Sequence, residues 1–200
     1  MTAAKKAKNR DDGARRRLLE ATAQIMRDEG YAAATSRRVA ALAGVKSALV
    51  YYYFDTMDDL FLALLRAGAE VSLAEMRQAL TDDNPLRALW LINSDLRRTG
   101  LNTEFMALAN HRKAIGAELK VYAERVREIE SAAVTVAMRA HGVDFNEFPP
   151  VVISMLVAQM ARSMCNEVAI GVTDGHKEMQ AFLERFFAQY GASTSSGPAR

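Results

Sequence analysis

Apolar residues along most of the chain recur at intervals of three and four, which is the spacing of one face of an α-helix. The first such pattern covers residues 14–30. Its inward positions are Leu18, Ala21, Thr22, Ile25 and Met26. No window shows the sustained alternation of apolar and polar residues that a half-buried strand requires. The pattern therefore predicts an all-α protein of about nine helices.

Capping residues and breaks set the bounds of the later helices. A second, very short helix follows the N-cap candidates Thr35 and Ser36 and ends at Gly44. A third is predicted over residues 45–54 and a long fourth over residues 57–80. The remaining helical patterns cover about residues 85–98, 103–115, 117–141, 148–170 and 174–190.

Composition places the chain among ordinary soluble globular proteins, because 50% of its 200 residues are apolar and 25% are charged. Cys165 is the only cysteine, so an intramolecular disulfide and a zinc site built on paired cysteines are both excluded. We expect a cytoplasmic protein with no cofactor and no metal. The N-terminus lacks the apolar region of a secretory signal, and no apolar segment is long enough to span a bilayer, so no membrane partner is expected.

Charge is distributed unevenly along the chain. Residues 1–54 contain eleven Lys or Arg and five Asp or Glu, a net charge of +6, whereas residues 55–200 carry a net charge of −4. A basic N-terminal part indicates a module that binds a polyanion such as DNA.

The segment from Thr35 to Phe54 has the spacing of a helix-turn-helix. The small Ala40 allows two short helices to approach closely, and Gly44 can take the positive φ of the tight turn between them. Val39, Val45 and Val50 would form the shared core. The outward residues Lys46, Ser47, Ala48 and Tyr52 would then face a major groove. By itself the spacing is also found in helical proteins that never contact DNA.

Residues 14–65 resemble the DNA-binding domain of the TetR family. The resemblance is carried by the run GVKSALVYYYF, by the capped turn and Leu60 after it, and by the EGY sequence at Glu29 to Tyr31. It implies an N-terminal three-helix helix-turn-helix domain followed by a larger helical domain for ligand binding and dimerisation. The expected organisation begins with a basic mobile arm (residues 1–13) and a DNA-binding domain (residues 14–60). A sensor and dimerisation domain (residues 61–191) and a disordered tail (residues 192–200) follow.

The resemblance also implies roles for individual residues. Thr35 or Ser36 would cap the second helix and bind a phosphate, and Arg37 would reach the groove. Base edges and the backbone would be contacted by Lys46, Ser47, Ala48, Tyr51, Tyr52 and Tyr53. Three consecutive tyrosines point in different directions on a helix, so at least one is expected to pack beside Phe54.

One position departs from the family pattern. Met57 stands where the family usually has a lysine that contacts a phosphate. The basic residues of the arm, Lys5, Lys6, Lys8 and Arg10, could compensate by binding DNA. Alternatively, the arm is a solvated tail that only aids solubility.

The last two predicted helices are candidates for a homodimer interface. The final helix carries one wide apolar stripe, and the helix before it is apolar nearly all round, which indicates burial on two sides. The candidate interface residues are Val152, Met155, Leu156, Phe182 and Phe186. The resemblance implies a four-helix bundle with a second copy, although both helices could instead complete a core within one chain.

The resemblance implies regulation by a small effector of unknown identity, expected to be apolar or amphipathic. The candidate ligand residues are Trp90, Phe105, Met106, His111, Arg112, Tyr122, Met160 and Met164. The aromatic and methionine residues could equally be ordinary core, and the polar residues could form salt bridges.

Other classes of protein fit the sequence less well. The histidines are scattered and no glycine-rich phosphate loop is present, so no constellation supports an enzyme. A helical adaptor that binds proteins is possible, but the charge distribution and the outward residues of the third helix argue against it. The sequence therefore favours a regulator, more often a repressor in this family, that binds a palindromic operator in double-stranded DNA as a homodimer.

Overall fold

A computed structural model describes the backbone of residues 3–190 and the side chains of residues 13–190. Over residues 3–190 the chain forms nine α-helices and a single 3-10 turn, with no strand, so the all-α prediction is confirmed. The helices are α1 (Ala3–Glu29), α2 (Ser36–Leu42), α3 (Ala48–Tyr53), α4 (Met57–Ala79), α5 (Pro85–Asn93), α6 (Leu96–Ala109), α7 (Lys113–Ala140), α8 (Pro150–Ala169) and α9 (His176–Tyr190).

Helix α1 is longer than the sequence pattern indicated. It begins at Ala3, so most of the segment predicted as a mobile arm, residues 1–13, is helical. This segment is rich in Ala and Lys, which have high helix propensity and need no apolar face to form a helix. The predicted tail, residues 192–200, lies outside the described residues.

The boundary between α5 and α6 corrects the predicted helices over residues 85–98 and 103–115. Helix α5 ends at Asn93, and α6 begins at Leu96. Asp95 causes this start, because its Oδ1 accepts a hydrogen bond from the Arg98 backbone N–H at 2.7 Å. A carboxylate at the N-cap satisfies an amide that the first helical turn leaves without a partner.

The chain divides into two compact units. The first unit contains Met1–Ala69 and Leu101–Lys120. Its core includes Leu18, Ile25, Val39 and Val50 of the helix-turn-helix region, all of which are fully buried. The same core includes residues from α4, α6 and α7, namely Phe61, Leu64, Leu65, Phe105, Leu108, Ile115 and Leu119. The first unit therefore extends beyond the predicted domain boundary at residue 60.

The second unit contains Glu70–Gly100 and Val121–Arg200. Within it α5 packs against α8 and α9. Its core includes Leu73, Met76, Trp90, Leu183 and Phe187, and the rings of Trp90 and Phe187 lie 6.0 Å apart. Over the described part of the chain, no helix is both long enough and apolar enough to cross a membrane.

Candidate functional site

The turn between α2 and α3 has the predicted geometry. Gly44 has φ of 66°, the left-handed conformation that favours glycine. The Val45 N–H donates to the Ala40 carbonyl at 2.9 Å, and the Gly44 N–H donates to the Ala41 carbonyl at 3.2 Å. These two bonds form a Schellman motif, which satisfies the last carbonyls of α2. Ala40 is only 1% exposed, so a larger side chain there would push the short helices apart.

Thr35 is the residue that caps α2. Its hydroxyl accepts a hydrogen bond from the Arg38 N–H at 3.3 Å, and its extended backbone is typical of an N-cap. Ser36 is the first residue of the helix. Its Oγ accepts a 3.3 Å hydrogen bond from the Tyr51 hydroxyl, which links α2 to α3. Arg37 is exposed beside them.

Helix α3 begins later than predicted, at Ala48 rather than Val45, because the turn extends through Val45 and Lys46. Lys46 and Ala48 are exposed and Ser47, the N-cap residue, is half-buried. The exposed side of the turn thus presents an ammonium group and a small side chain together. This is the surface that the sequence predicted would face a duplex.

The three tyrosines of α3 separate as the helical geometry predicts. Tyr51 and Tyr52 are 53% and 70% exposed. Tyr53 is half-buried against the first core, with its ring 6.4 Å from that of Phe54. The expectation that one tyrosine packs beside Phe54 is therefore confirmed by Tyr53, which leaves two phenol groups on the surface.

Polar contacts fix α2 against α1. Arg38 and Glu29 form an ion pair at 2.6 Å, and the hydrogen bond that Arg38 donates to the Glu29 carboxylate raises the pKa of Arg38. Arg17 of α1 donates from Nε to the Ala43 carbonyl at 3.3 Å. The Arg15 guanidinium lies 5.3 Å from the centre of the Phe54 ring. These contacts use none of the exposed side chains of α3, so Tyr52 and its neighbours on the outer surface remain accessible.

Met57 opens α4, where the family pattern has a lysine. The side chain is half-buried against the first core, so it contributes packing and no positive charge. The Thr56 and Asp59 side chains cap each other's backbone N–H groups at 3.1 and 3.0 Å. The side chains of Lys5, Lys6, Lys8 and Arg10 lie outside the described residues.

Four of the predicted ligand residues belong to the first unit. Phe105 is buried in its core, whereas Met106 is 55% exposed and His111 is exposed. Arg112 forms an ion pair with Asp58 at 3.6 Å. Of the alternatives that the sequence left open, Arg112 forms a salt bridge and Phe105 is an ordinary core residue.

The other four predicted ligand residues belong to the second unit. Trp90 is buried in the core, and Met160 and Met164 are half-buried against it. The Tyr122 hydroxyl donates to Ser72 Oγ at 2.9 Å. The eight residues are thus divided between the two units.

Sequence reasoning missed a polar cluster in the second unit. Asn93 Nδ2 donates to Glu130 Oε1 at 2.9 Å, and Arg162 Nη1 donates to Asn93 Oδ1 at 2.9 Å. Burial raises the pKa of Glu130 above its ordinary value and lowers the pKa of Arg162 below its ordinary value. A signal was present in the sequence, since Glu130 stands four residues from both Val126 and Val134 on the buried face of α7.

The candidate dimer residues lie mostly on the surface of the second unit. Val152, Met155, Leu156 and Phe182 are 44%, 43%, 55% and 54% exposed. Phe186 is half-buried and contacts Phe187, with ring centres 6.0 Å apart. The opposite face of α8 is buried through Ser154, Ala158, Ala161 and Cys165. Burial raises the pKa of the Cys165 thiol, consistent with an inert side chain.

Comparison with known protein families identifies the N-terminal segment. Residues 18–64 match the family model described as bacterial regulatory proteins, tetR family. The matched range includes α2, α3 and the exposed residues of the turn between them. No curated protein matches the chain.

Solved structures share the fold over nearly the whole chain. A transcriptional regulator from Rhodococcus sp. Rha1 is 21% identical, with a TM-score of 0.67 over 88% of this chain and 95% of that one. A TetR transcription regulator from Haloarcula marismortui ATCC 43049 is 20% identical, with a TM-score of 0.68 over 90% and 98%. A TetR family transcription regulator from Marinobacter aquaeolei VT8 is 17% identical, with a TM-score of 0.64 over 93% and 100%. At these identities the likeness shows a common fold.

Proposed function

Since the chain is a member of the TetR family of bacterial regulatory proteins, we propose that it is a repressor that binds a palindromic operator as a homodimer and is released by a small effector. The observation that carries the proposal is the exposed surface of the turn and α3. There a lysine and two tyrosines lie on the exposed side of the turn and α3. The Tyr51 hydroxyl links α3 to Ser36 of α2, and Arg17 of α1 donates to the Ala43 carbonyl at the end of α2.

The proposed roles at this surface follow from side-chain chemistry. Lys46 has a flexible ammonium that can bind a phosphate or donate to the acceptor-rich edge of guanine. The Tyr52 hydroxyl can donate to a phosphate oxygen, the Tyr51 hydroxyl can do so if it gives up its bond to Ser36, and the methyl group of Ala48 can contact a thymine methyl. Three further residues lie next to the same surface, namely Thr35, Ser36 and Arg37. They would fix the position of the DNA backbone.

A homodimer is supported by the uncovered apolar residues of α8 and α9. Val152, Met155, Leu156 and Phe182 form a set of large apolar side chains that are all more than two fifths exposed. Groups of this kind on a protein surface usually mark a protein interface. In a two-fold dimer the same patch meets itself, and two recognition helices about 34–36 Å apart would read a palindrome.

Effector control is proposed for the second unit, which would act in the cytoplasm as the sensor of a small apolar or amphipathic effector. Its core holds buried polar side chains beside a cleft, described below. An effector that binds one conformation of the dimer more tightly shifts the population toward that conformation. The protein leaves DNA if, in the favoured conformation, the distance between the two recognition helices no longer matches the spacing of the operator half-sites.

DNA binding is tested by selecting bound duplexes from genomic fragments and titrating the protein with the selected sequence. We expect Lys46→Ala and Tyr52→Ala to weaken specific binding about ten-fold or more, because each removes a contact at the duplex. Lys177→Ala is the matched control, since Lys177 is an exposed lysine of the second unit and should have no effect. Affinity should also fall steeply between low and moderate salt.

The result that would contradict the proposal is a duplex affinity that neither salt nor the Lys46 change alters. The absence of any duplex binding would contradict it as well, and a protein adaptor would give that second outcome. Sedimentation of the same variants provides the second control, since both should remain dimers.

The dimer is tested separately by Leu156→Asp. A carboxylate at the centre of an apolar interface has no partner, so we expect the dimer to dissociate at least about a hundred-fold more readily. Val136→Asp is the matched control, because Val136 is 69% exposed on α7 and lies outside the proposed interface. Equal effects of the two changes in analytical ultracentrifugation would show that α8 is not the interface.

A further inference from the structure

A cleft in the second unit combines an apolar lining with buried polar groups. The cleft outlines about 240 Å³ of space that includes open solvent, and its enclosed cavity is only about 20 Å³. Asn93, Glu130 and Ser154 supply the polar lining and are 6%, 3% and 2% exposed. The apolar lining residues are Leu86, Leu89, Val134, Val157 and Ala158. A mostly apolar wall with a few fixed polar groups is the usual composition of a small-molecule site.

The hydrogen bonds of the cluster leave one acceptor without a donor. Glu130 Oε1 accepts from Asn93, whose own oxygen accepts from Arg162. Glu130 Oε2 is buried and has no hydrogen-bond partner among the described residues. Buried polar atoms nearly always have a partner, and a carboxylate oxygen without one is costly. Arg127 Nε, whose charge acts on Glu130, is likewise buried without a hydrogen-bond partner in the described part of the chain, so a group from outside the chain that both donates and accepts, such as a hydroxyl, suits the cluster.

The charge around Glu130 indicates what kind of donor fits. Arg162 and Arg127 both act to lower the pKa of Glu130, so two guanidinium groups already oppose the effect of burial. A cationic ligand would meet these two positive charges. An uncharged hydroxyl group supplies the missing hydrogen bond without that repulsion.

Access to the cleft is set by Val157. It is the only lining residue that is half-buried, whereas the other seven are buried. Val157 therefore stands at the mouth. Because Oε2 is closed to solvent, a ligand reaches it only after side chains of the lining move.

We infer that this cleft binds an uncharged amphipathic molecule, whose apolar part contacts the leucine and valine lining and whose hydroxyl group donates to Glu130 Oε2. The inference rests on the proposed function in one respect, namely that this molecule is the effector. The small volume limits the buried part of the ligand to a few heavy atoms.

Two isomeric probes test the donor requirement. 1-Butanol and 1-methoxypropane contain the same atoms, but only the alcohol can donate a hydrogen bond. Spectra of protein with labelled Leu and Val methyl groups report directly on Leu86, Leu89, Val134 and Val157. We expect saturable shifts of these methyl signals and at least about ten-fold tighter binding of the alcohol, because a hydrogen bond to a charged acceptor is among the stronger ones.

Glu130→Gln should remove the preference for the alcohol. The amide oxygen can keep the bond from Asn93, and its NH₂ group then donates to the oxygen of either probe. We expect the ratio of the two affinities to fall below about two-fold. Glu128→Gln, an exposed glutamate on the same helix, is the control and should leave the ratio unchanged. Val157→Ala should strengthen the binding of both probes by opening the mouth, which keeps the test usable if Glu130→Gln folds poorly.

Three results would overturn the inference: no saturable shift of the lining methyl groups, tighter binding of butylammonium than of 1-butanol, or an unchanged preference in Glu130→Gln. Duplex titration of the same samples separates this from the proposed function. Absent probe binding with intact, salt-dependent duplex binding overturns the cleft alone. Probe binding without any duplex affinity contradicts the regulator and leaves the cleft standing.

Discussion

The two units of this protein differ in where their polar side chains lie. Among the described side chains of the first unit, Thr22 is the one buried polar residue, and its hydroxyl donates to the Leu18 carbonyl one turn earlier. The second unit buries five polar residues: Ser72, Asn93, Thr99, Glu130 and Ser154.

This difference between the units matches the two tasks that we propose for them, DNA recognition and effector sensing. A surface that recognises DNA needs a rigid apolar core behind it, because the chemistry is all on the outside. A unit that senses a small molecule needs hydrogen-bonding groups inside, where water does not compete. Such groups cost stability unless each has a partner, so the second unit should be the more sensitive to polar changes within its core.

The largest effect is expected from Asn93→Ala. This change removes both the donor to Glu130 and the acceptor of Arg162, which leaves the buried Glu130 and the half-buried Arg162 without this partner. We expect the free energy of unfolding in urea to fall by about 3 kcal/mol. Gln159→Ala is the control, because Gln159 is an exposed partner of Arg162. This substitution should change the free energy of unfolding by less than about 1 kcal/mol. Similar losses of unfolding free energy in the two variants would contradict the expectation that buried polar groups make the second unit sensitive to such changes.

A smaller effect is expected in the first unit from Gly44→Val. A β-branched residue at φ of 66° is strained by about 1–3 kcal/mol, and the turn before α3 would shift with it. Urea unfolding and duplex titration should both report a loss. Gly68→Ala is the matched control, because an added Cβ there meets no atom within 4 Å and should stabilise α4 by roughly 0.5–1 kcal/mol. A Gly44→Val protein with wild-type duplex affinity would show that the turn geometry is not required.

A pH-dependent effect is expected from Glu130→Gln. Burial raises the pKa of Glu130 in the folded protein above its ordinary value of 4.5, so folding opposes its ionisation. That cost is absent well below pH 4.5 and grows as the pH rises through 4.5 toward the raised folded value. The variant should therefore gain stability relative to wild type as the pH increases over this window. The measurement is urea unfolding at a series of pH values, with Glu128→Gln expected to give a flat difference.

The smallest effect is expected from Arg112→Ala in the first unit. Its ion pair with Asp58 is exposed, with side chains 54% and 37% accessible. Such pairs are screened by water, so the change should cost less than about 1 kcal/mol in a double-mutant cycle with Asp58→Ala. A coupling well above that value would mean that Arg112 belongs to a buried network.

The helix-turn-helix was predictable because its signals are local. Thr35, Ala40 and Gly44 act within a few residues of their own position, as an N-cap, a small contact and a left-handed turn. The start of α6 at Asp95 was equally local, but the apolar pattern continues through it and concealed the break. The length of α1 depended on helix propensity, whereas the predicted arm was inferred from the absence of an apolar face.

The candidate ligand residues show the opposite case. Trp90 and Phe105 carry the same signal, an aromatic side chain on a helical apolar face, yet they belong to the cores of different units. Periodicity shows that a side chain is buried and does not show which neighbours bury it. Glu130 was overlooked for the same reason, since its partner Asn93 is 37 residues away along the chain.

The amino-acid sequence alone determined the helical class, the turn at Gly44 and the exposed residues of α3, because each depends on contacts between residues close in the chain. Tertiary structure decided which apolar residues share a core, and it brought Asn93, Glu130 and Arg162 together inside the second unit. The physical reason is that burial of a polar group is decided by the helices that pack over it, and those helices come from distant parts of the chain.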